Sequence, residues 1–375
     1  MDFLKDNWKI FFNAFSLLAN TIIGVGFFAL PYITLQTGFK IILLYFLILT
    51  TVVIIVHEIF GQISLKTPDY KRFPGFVEYH LGKKIGKISV LTTIFSLLGS
   101  ILVYLIVGGE FLGNLLFKNS NFLLPSILYW LIGTIIIFLD IKIVSKVSSL
   151  SLLFLLAILF SIFLKGKSFF NLNNISLNPT ILNFKTLFLP YGPILFSLWG
   201  ASIIPEIEEM ISDRKYLLPK IIKSAILFSS LCYLFFIITI LGITGKSTTP
   251  SALSGLKTFL GDNFSVLVFL FGLITTFTSY ISLGLTLKKI LIYDLKVKKV
   301  LSIFIIAFVP LILFLSGIKN FIEVISFLGA IILGIDGILI LLIYKKIESK
   351  KSKISLGLIS IFILGIIYEF LTILK

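Results

Sequence analysis

The sequence predicts an all-α polytopic membrane protein, and three observations carry that reading. Hydrophobic side chains make up 58% of the 375 residues and charged ones only 13%, against about 45–50% and about 25% in an average soluble chain. Apolar runs recur along the whole chain with no polar stretch long enough for a soluble domain. Basic residues concentrate in alternate breaks between those runs. A helix needs about 20 apolar residues to cross ~30 Å of hydrocarbon. Eleven runs meet that need, at 10–33, 39–65, 87–113, 123–141, 147–164, 186–211, 221–243, 262–287, 299–317, 321–344 and 354–374. One transmembrane domain over 1–375 is expected, with no linker or low-complexity tract to divide it.

The first run follows Asp2, Lys5, Asp6 and Lys9, is too long for a signal-peptide core and lacks a small-residue cleavage site, so it is expected to remain. Orientation follows from Lys and Arg, which are retained on the cytoplasmic side. With the N-terminus cytoplasmic and the C-terminus extracytoplasmic in the plasma membrane, the inside segments hold 24 of the 33 basic residues. They are Lys5 and Lys9, six from Lys66 to Lys87, Lys142 and Lys146, four from Arg214 to Lys223, five from Lys288 to Lys299 and five from Lys345 to Lys353. The net charge of +16 is therefore a topogenic signal, and no aromatic-basic platform for nucleic acid accompanies it. Residues 66–86 mix aromatic and basic side chains as an interfacial helix does, and 165–185 form an Asn-rich outer loop.

Two spans are interrupted. The first contains Asn20-Thr21-Ile-Ile23-Gly24-Val25-Gly26-Phe-Phe-Ala-Leu-Pro31-Tyr32, and the sixth contains Pro190-Tyr-Gly192-Pro193-Ile-Leu-Phe196-Ser197-Leu-Trp199-Gly200-Ala-Ser202-Ile-Ile-Pro205-Glu206. Unwound backbone at membrane depth needs partners for its N–H and C=O groups, so it lines a cavity or is buried in protein. Close helix packing at Gly24 and Gly26 is the alternative. The two breaks lie five spans apart, and an odd offset reverses orientation in the bilayer. Paired interrupted helices in inverted repeats enclose a midplane binding site in secondary transporters.

The segment Gly24 to Tyr32 followed by Gln36-Thr-Gly38 resembles the first-helix signature of the amino acid/auxin permease family, in the amino acid–polyamine–organocation superfamily. Phe196-Ser-Leu-Trp-Gly200, Ile204-Pro205-Glu206-Ile207 and Tyr216-Leu-Leu-Pro-Lys220 are similar to its sixth helix and the loop behind it. The resemblance implies a LeuT-like five-plus-five inverted repeat, about 10–164 and 186–344, with 354–374 as an addition, and it implies secondary transport of amino acids. The short eleven-span form resembles an aromatic amino acid permease-like branch, which implies aromatic or other neutral substrates. Another small organic amine as substrate, or a non-transporting sensor, stands as the alternative.

An amino acid zwitterion needs donors and acceptors without unpaired protein charge, and exposed backbone supplies both. N–H groups at Gly24, Val25 and Gly26 are expected to meet the carboxylate with the positive end of a helix dipole. Carbonyls at Thr21, Ile22 or Ile23 and at Phe196, Ser197 or Trp199 would accept from the ammonium. Gly200 belongs to the same break, and Phe196, Trp199, Ser202 and Tyr104 are the expected side-chain selectors. For the coupling ion, Thr275, Thr278 and Ser279 share one helix face, with Ser282 a turn on. They could join Asn20 and Ile23 in binding Na⁺, as sodium-coupled relatives do, or bond back to their own helix. The fifth span lacks the lysine that other superfamily branches use in proton coupling, which favours Na⁺ over that proton mechanism, with H⁺ coupling without the lysine as the alternative. No other cofactor is expected.

Ionisable residues within spans are functional candidates by default. Glu206 is the candidate gate residue, Glu110 and Asp336 are candidate gates, proton acceptors or structural partners, and His57-Glu58 reads more simply as an interface pair. Glu208, Glu209 and Asp213 with Arg214 and Lys215 read as a solvated helix end. The sequence carries no nucleophile-base or metalloprotease motif, and Gly242-Ile-Thr-Gly245-Lys246-Ser247 lacks the first glycine of a phosphate loop, so an enzyme is not expected.

Overall fold

The computed structural model describes residues 2–68, 71–117, 122–139, 148–179, 181–348 and 352–374. Lys142, Lys146, Lys350 and Lys351 of the charge argument lie outside these. Among the described residues the regular elements are all helical.

The first span is α1 (Asp2–Ile22) and α2 (Leu30–Thr37), joined through a 3₁₀ turn at Val25–Ala29, and it bends by 49° at the break. The second is α3 (Phe39–Lys66), after which α4 (Phe73–Leu81) leads into the third, α5 (Lys83–Leu116). Next come α6 (Leu123–Phe138) and α7 (Ser148–Gly166). The sixth span is α8 (Phe184–Phe188), α9 (Tyr191–Leu198), a 3₁₀ turn at Ala201–Ile203, and α10 (Ile204–Ile211). Then follow α11 (Leu218–Thr244), the short α12 (Lys257–Leu260), α13 (Asp262–Lys289) and α14 (Lys299–Leu315). The tenth span is α15 (Phe321–Phe327) and α16 (Leu333–Ile347), and the last is α17 (Ser352–Ile373).

Among the described residues eight helical segments are long and apolar enough to cross a membrane, and the bent first span makes a ninth. The helices α6 and α14 are equally apolar but have 16 and 17 residues. At 1.5 Å per residue each reaches about 25 Å. All eleven predicted runs thus correspond to a helix or a broken helix.

Both breaks are built alike. A glycine ends the first half, a 3₁₀ turn follows, and the second half starts with a proline in its first turn, Pro31 in α2 and Pro205 in α10. Proline suits that position because its missing N–H would have no partner in the helix anyway. Helices five spans apart pack together: the first-span turn on α9, α1 on α10, α3 on α11, and α5 along α13. The sequence did not foresee a third interruption, the π-helical turn Leu328–Ile332 between α15 and α16, which packs against α9.

The predicted interfacial helix is α4. It buries Phe76 and Val77, sets Phe76 edge-on to Phe60 at 5.4 Å and leaves Tyr79 exposed. Lys346 Nζ donates to the His80 carbonyl at 2.6 Å, tying α4 to α16. The 165–185 loop folds partly as 3₁₀ turns, anchored where Asn174 Nδ2 donates to the Gly242 carbonyl at 2.8 Å.

Candidate functional site

A cavity of about 170 Å³ opens between the two breaks and runs toward the α4 end of the bundle. Nine of the eleven residues expected at a substrate site line it: Thr21, Gly24, Val25, Gly26, Tyr104, Phe196, Ser197, Trp199 and Ser202. Ile23 and Gly200 do not; Ile23 is buried and its N–H continues the helix to Ala19, and the Gly200 amide is engaged elsewhere. Sequence reasoning missed a polar stripe on α5 that forms one wall, Thr93, Ser96 and Ser100 leading to Tyr104. Their spacing of three and four residues was the available signal.

The breaks are held by three side chains from other spans. Val25 N–H donates to the Tyr104 hydroxyl at 3.1 Å, and Ser279 of α13 lies near the same hydroxyl. The Tyr233 hydroxyl of α11 lies 2.8 Å from both the Ile22 and the Ser197 carbonyl oxygens, so its one proton bridges the two breaks. Gly200 N–H donates to His57 Nε2 at 2.9 Å. Because Nε2 accepts, the imidazole is the neutral tautomer with its proton on Nδ1, a buried nitrogen without a hydrogen-bond partner among the described residues. The ring also stands edge-on to Trp199 at 4.9 Å. His57 is wholly buried, which corrects the expectation of an interface residue.

The glycines of the first break answer to packing. A Cβ on Gly24 would sit 2.5 Å from the Tyr104 hydroxyl oxygen, and one on Gly26 would sit 2.4 Å from Ser197 Oγ. Gly24 has φ −109°, a value open to other residues, so close approach and not backbone freedom requires it. The donors expected for a carboxylate are also partly engaged, since Gly24 N–H bonds the Ile22 carbonyl and Val25 N–H bonds Tyr104.

Asp336 of α16 lines the same cavity, is 7% exposed, and accepts from Thr92 Oγ1 at 2.6 Å. Of the expected ion ligands, Thr278 bonds back to the Ile274 and Thr275 carbonyls of its own helix, whereas Ser279 lies near Tyr104. Glu206 is exposed on α10 within the field of Arg72 and Lys289. Its neighbour Glu208 is the buried one, at 5% exposure, taking the Ser64 hydroxyl and lying 3.8 Å from Lys215. That corrects the solvated helix end expected there. Away from α4 the cavity is closed by buried rings: Phe28 meets Phe111 edge-on at 5.1 Å and Phe27 lies 4.7 Å from Phe236. Beyond them Glu110 accepts from Ser251 and Ser254 at 2.5 and 2.6 Å, fastening α5 to the loop after α11.

Paired broken helices around a midplane cavity, with helices five apart packed on each other, define the LeuT fold of membrane transporters. The chain belongs to the family described as transmembrane amino acid transporter protein, whose profile matches residues 10–245. Its fold is similar to that of MhsT, solved in complex with L-phenylalanine, with a TM-score of 0.73 at 14% identity, covering 96% of this chain and 97% of that one. It is similar also to Mhp1 in an inward-facing conformation, with a TM-score of 0.68 at 13% identity over 96% of this chain and 89% of that one. Against Mhp1, a nucleobase-cation-symport-1 family transporter, closed with bromovinylhydantoin bound, the TM-score is 0.61 at 15% identity over 87% and 77%. No curated protein sequence matches the chain.

Proposed function

We propose that this protein is a secondary active transporter that moves aromatic or other neutral amino acids across the cytoplasmic membrane by alternating access, coupled to Na⁺ or H⁺. The observation that carries the reading is the meeting of both breaks at one cavity, with the Val25 amide and the Tyr104 hydroxyl on one side and Phe196, Trp199 and Ser202 on the other. The substrate carboxylate takes Val25 N–H and the Tyr104 O–H, and the ammonium is accepted by carbonyls of Thr21 and Trp199. Those of Ile22 and Ser197 are already bridged by Tyr233. Phe196 and Trp199 supply apolar surface for the side chain. Ser279, adjoining Tyr104, is the α13 hydroxyl best placed to link the ion to the substrate.

The cavity's course toward α4 corresponds to opening on the cytoplasmic side under the charge-based orientation, with the Phe27, Phe28, Phe111 and Phe236 rings closing the other. Alternating access then rocks the first, second, sixth and seventh spans against the rest.

The test is thermal stabilisation of the purified protein by each of the twenty amino acids, in NaCl and in choline chloride, followed by counterflow in liposomes. A ligand of the native state raises the melting point by mass action. Stabilisation by Phe, Tyr or Trp that grows with Na⁺, together with saturable counterflow, is expected. Binding without counterflow would make the protein a sensor, and no stabilisation by any amino acid would discard the substrate class.

A further inference from the structure

We propose that a lateral crevice between α5, α14, α15 and α17 binds one aminophospholipid, its headgroup ammonium held by Glu369 and Glu323 and an acyl chain laid along α5. This site is independent of the substrate reading and shares no lining residue with the central cavity.

The crevice has a volume of about 740 Å³. Its charged and apolar groups are separated along the membrane normal. Glu323 lies in the first turn of α15, Glu369 four residues before the end of α17, and Lys185 in the first turn of α8, all at one end. Leu98 and Leu102, from the middle of α5, line its deep part. Phe95 and Ile373, both exposed, border it, so it faces the hydrocarbon of the bilayer and not water. A polar end at the interface and a greasy trough running to mid-bilayer is the profile of a lipid.

The polar end also lacks partners. Glu369 is 7% exposed and Ser326 8%, and among the described residues neither the Glu369 carboxylate nor the Ser326 hydroxyl has a hydrogen bond or ion pair. Glu323 accepts from Asn320 Nδ2 at 2.8 Å and is near enough to Glu369 for the two charges to repel. A buried carboxylate without a partner is strongly unfavourable, and a second beside it makes it more so. A cation that donates hydrogen bonds relieves both. A primary ammonium does this; a quaternary ammonium has no N–H to give, and an anionic glycerol headgroup adds to the repulsion. Lys185, at the rim, matches the phosphate of the same headgroup.

The experiment is native mass spectrometry of the full chain released from nanodiscs holding phosphatidylethanolamine, phosphatidylcholine and phosphatidylglycerol in equal amounts. One phosphatidylethanolamine is expected to be retained in preference to the other two. Glu369→Gln is expected to lower that preference about tenfold, the loss of one charge-assisted contact, with the lipid-free melting point in detergent kept as a check on folding. Glu323→Gln is the second variant, expected to act in the same direction. Equal retention of the three lipids, preference for phosphatidylglycerol, or an unchanged preference in both folded variants overturns the proposal.

Discussion

Gly200 gives its amide to His57 across 143 residues of sequence, at 2.9 Å, where the sixth span unwinds. Backbone unwound in a membrane must find acceptors and donors from other helices, and here a neutral imidazole on the second span provides the acceptor. His57→Leu leaves a buried N–H without a partner, a loss of about 1–3 kcal/mol. A melting point lowered by several degrees and loss of counterflow are expected, with His57→Gln, which can still accept, falling between. A His57→Leu protein as stable as the parent would show that the bond contributes nothing.

Gly24 and Tyr104 are coupled by contact. Gly24→Ala places a methyl group 2.5 Å from the phenolic oxygen, so substrate affinity is expected to drop at least tenfold. Tyr104→Phe removes that oxygen and with it the clash, but also the acceptor for Val25 N–H. The double variant is therefore expected to lose less than the sum of the single losses, by about 0.5–3 kcal/mol in a double-mutant cycle. Additive losses in binding titrations would separate the two residues.

Asp336→Asn keeps an oxygen for the Thr92 hydroxyl and removes a charge from the cavity wall. The protein is expected to fold and to retain counterflow, while the pH profile of concentrative uptake changes. A profile that matches the parent's would exclude Asp336 from ion coupling.

In α4, burial and the nearby Lys346 ammonium lower the pKa of His80 below its ordinary value of 6.5, and its ring bonds the Thr67 hydroxyl at 2.8 Å. The unfolded chain then binds a proton more readily than the folded one between the two values, so His80 stabilises fully above pH 6.5 and its contribution shrinks as pH falls below that. Melting points measured from pH 7.5 to 5 should fall, and fall less in His80→Asn.

What the sequence disclosed was local. Gly24, Gly26, Gly200, Pro31 and Pro205 punctuate apolar runs within a few residues of each break, so both breaks and their five-span offset could be read directly. The groups that complete the site could not. Tyr233 meets Ile22 across 211 residues and Glu208 meets Ser64 across 144, and neither residue carries a neighbouring pattern that names its partner. Glu208 even misleads, because Glu209, Asp213 and Arg214 beside it have the look of a solvated turn. The α5 stripe of Thr93, Ser96 and Ser100 was legible as a helical face, yet lone hydroxyls in an apolar helix usually bond to their own backbone.

The bridging hydroxyl of Tyr233 divides the molecule at its middle. It rivets the first span to the sixth from the seventh, and His57 ties the second to the sixth at the level of the breaks. Toward the opposite wall, the Val25 amide is fastened to Tyr104 at that level. Under the proposed function, a guest carboxylate that takes that amide would replace the direct bond between Val25 and Tyr104. In the proposed pose that carboxylate also takes the Tyr104 O–H, so a loaded cavity would carry the guest itself as the bridge between the two walls.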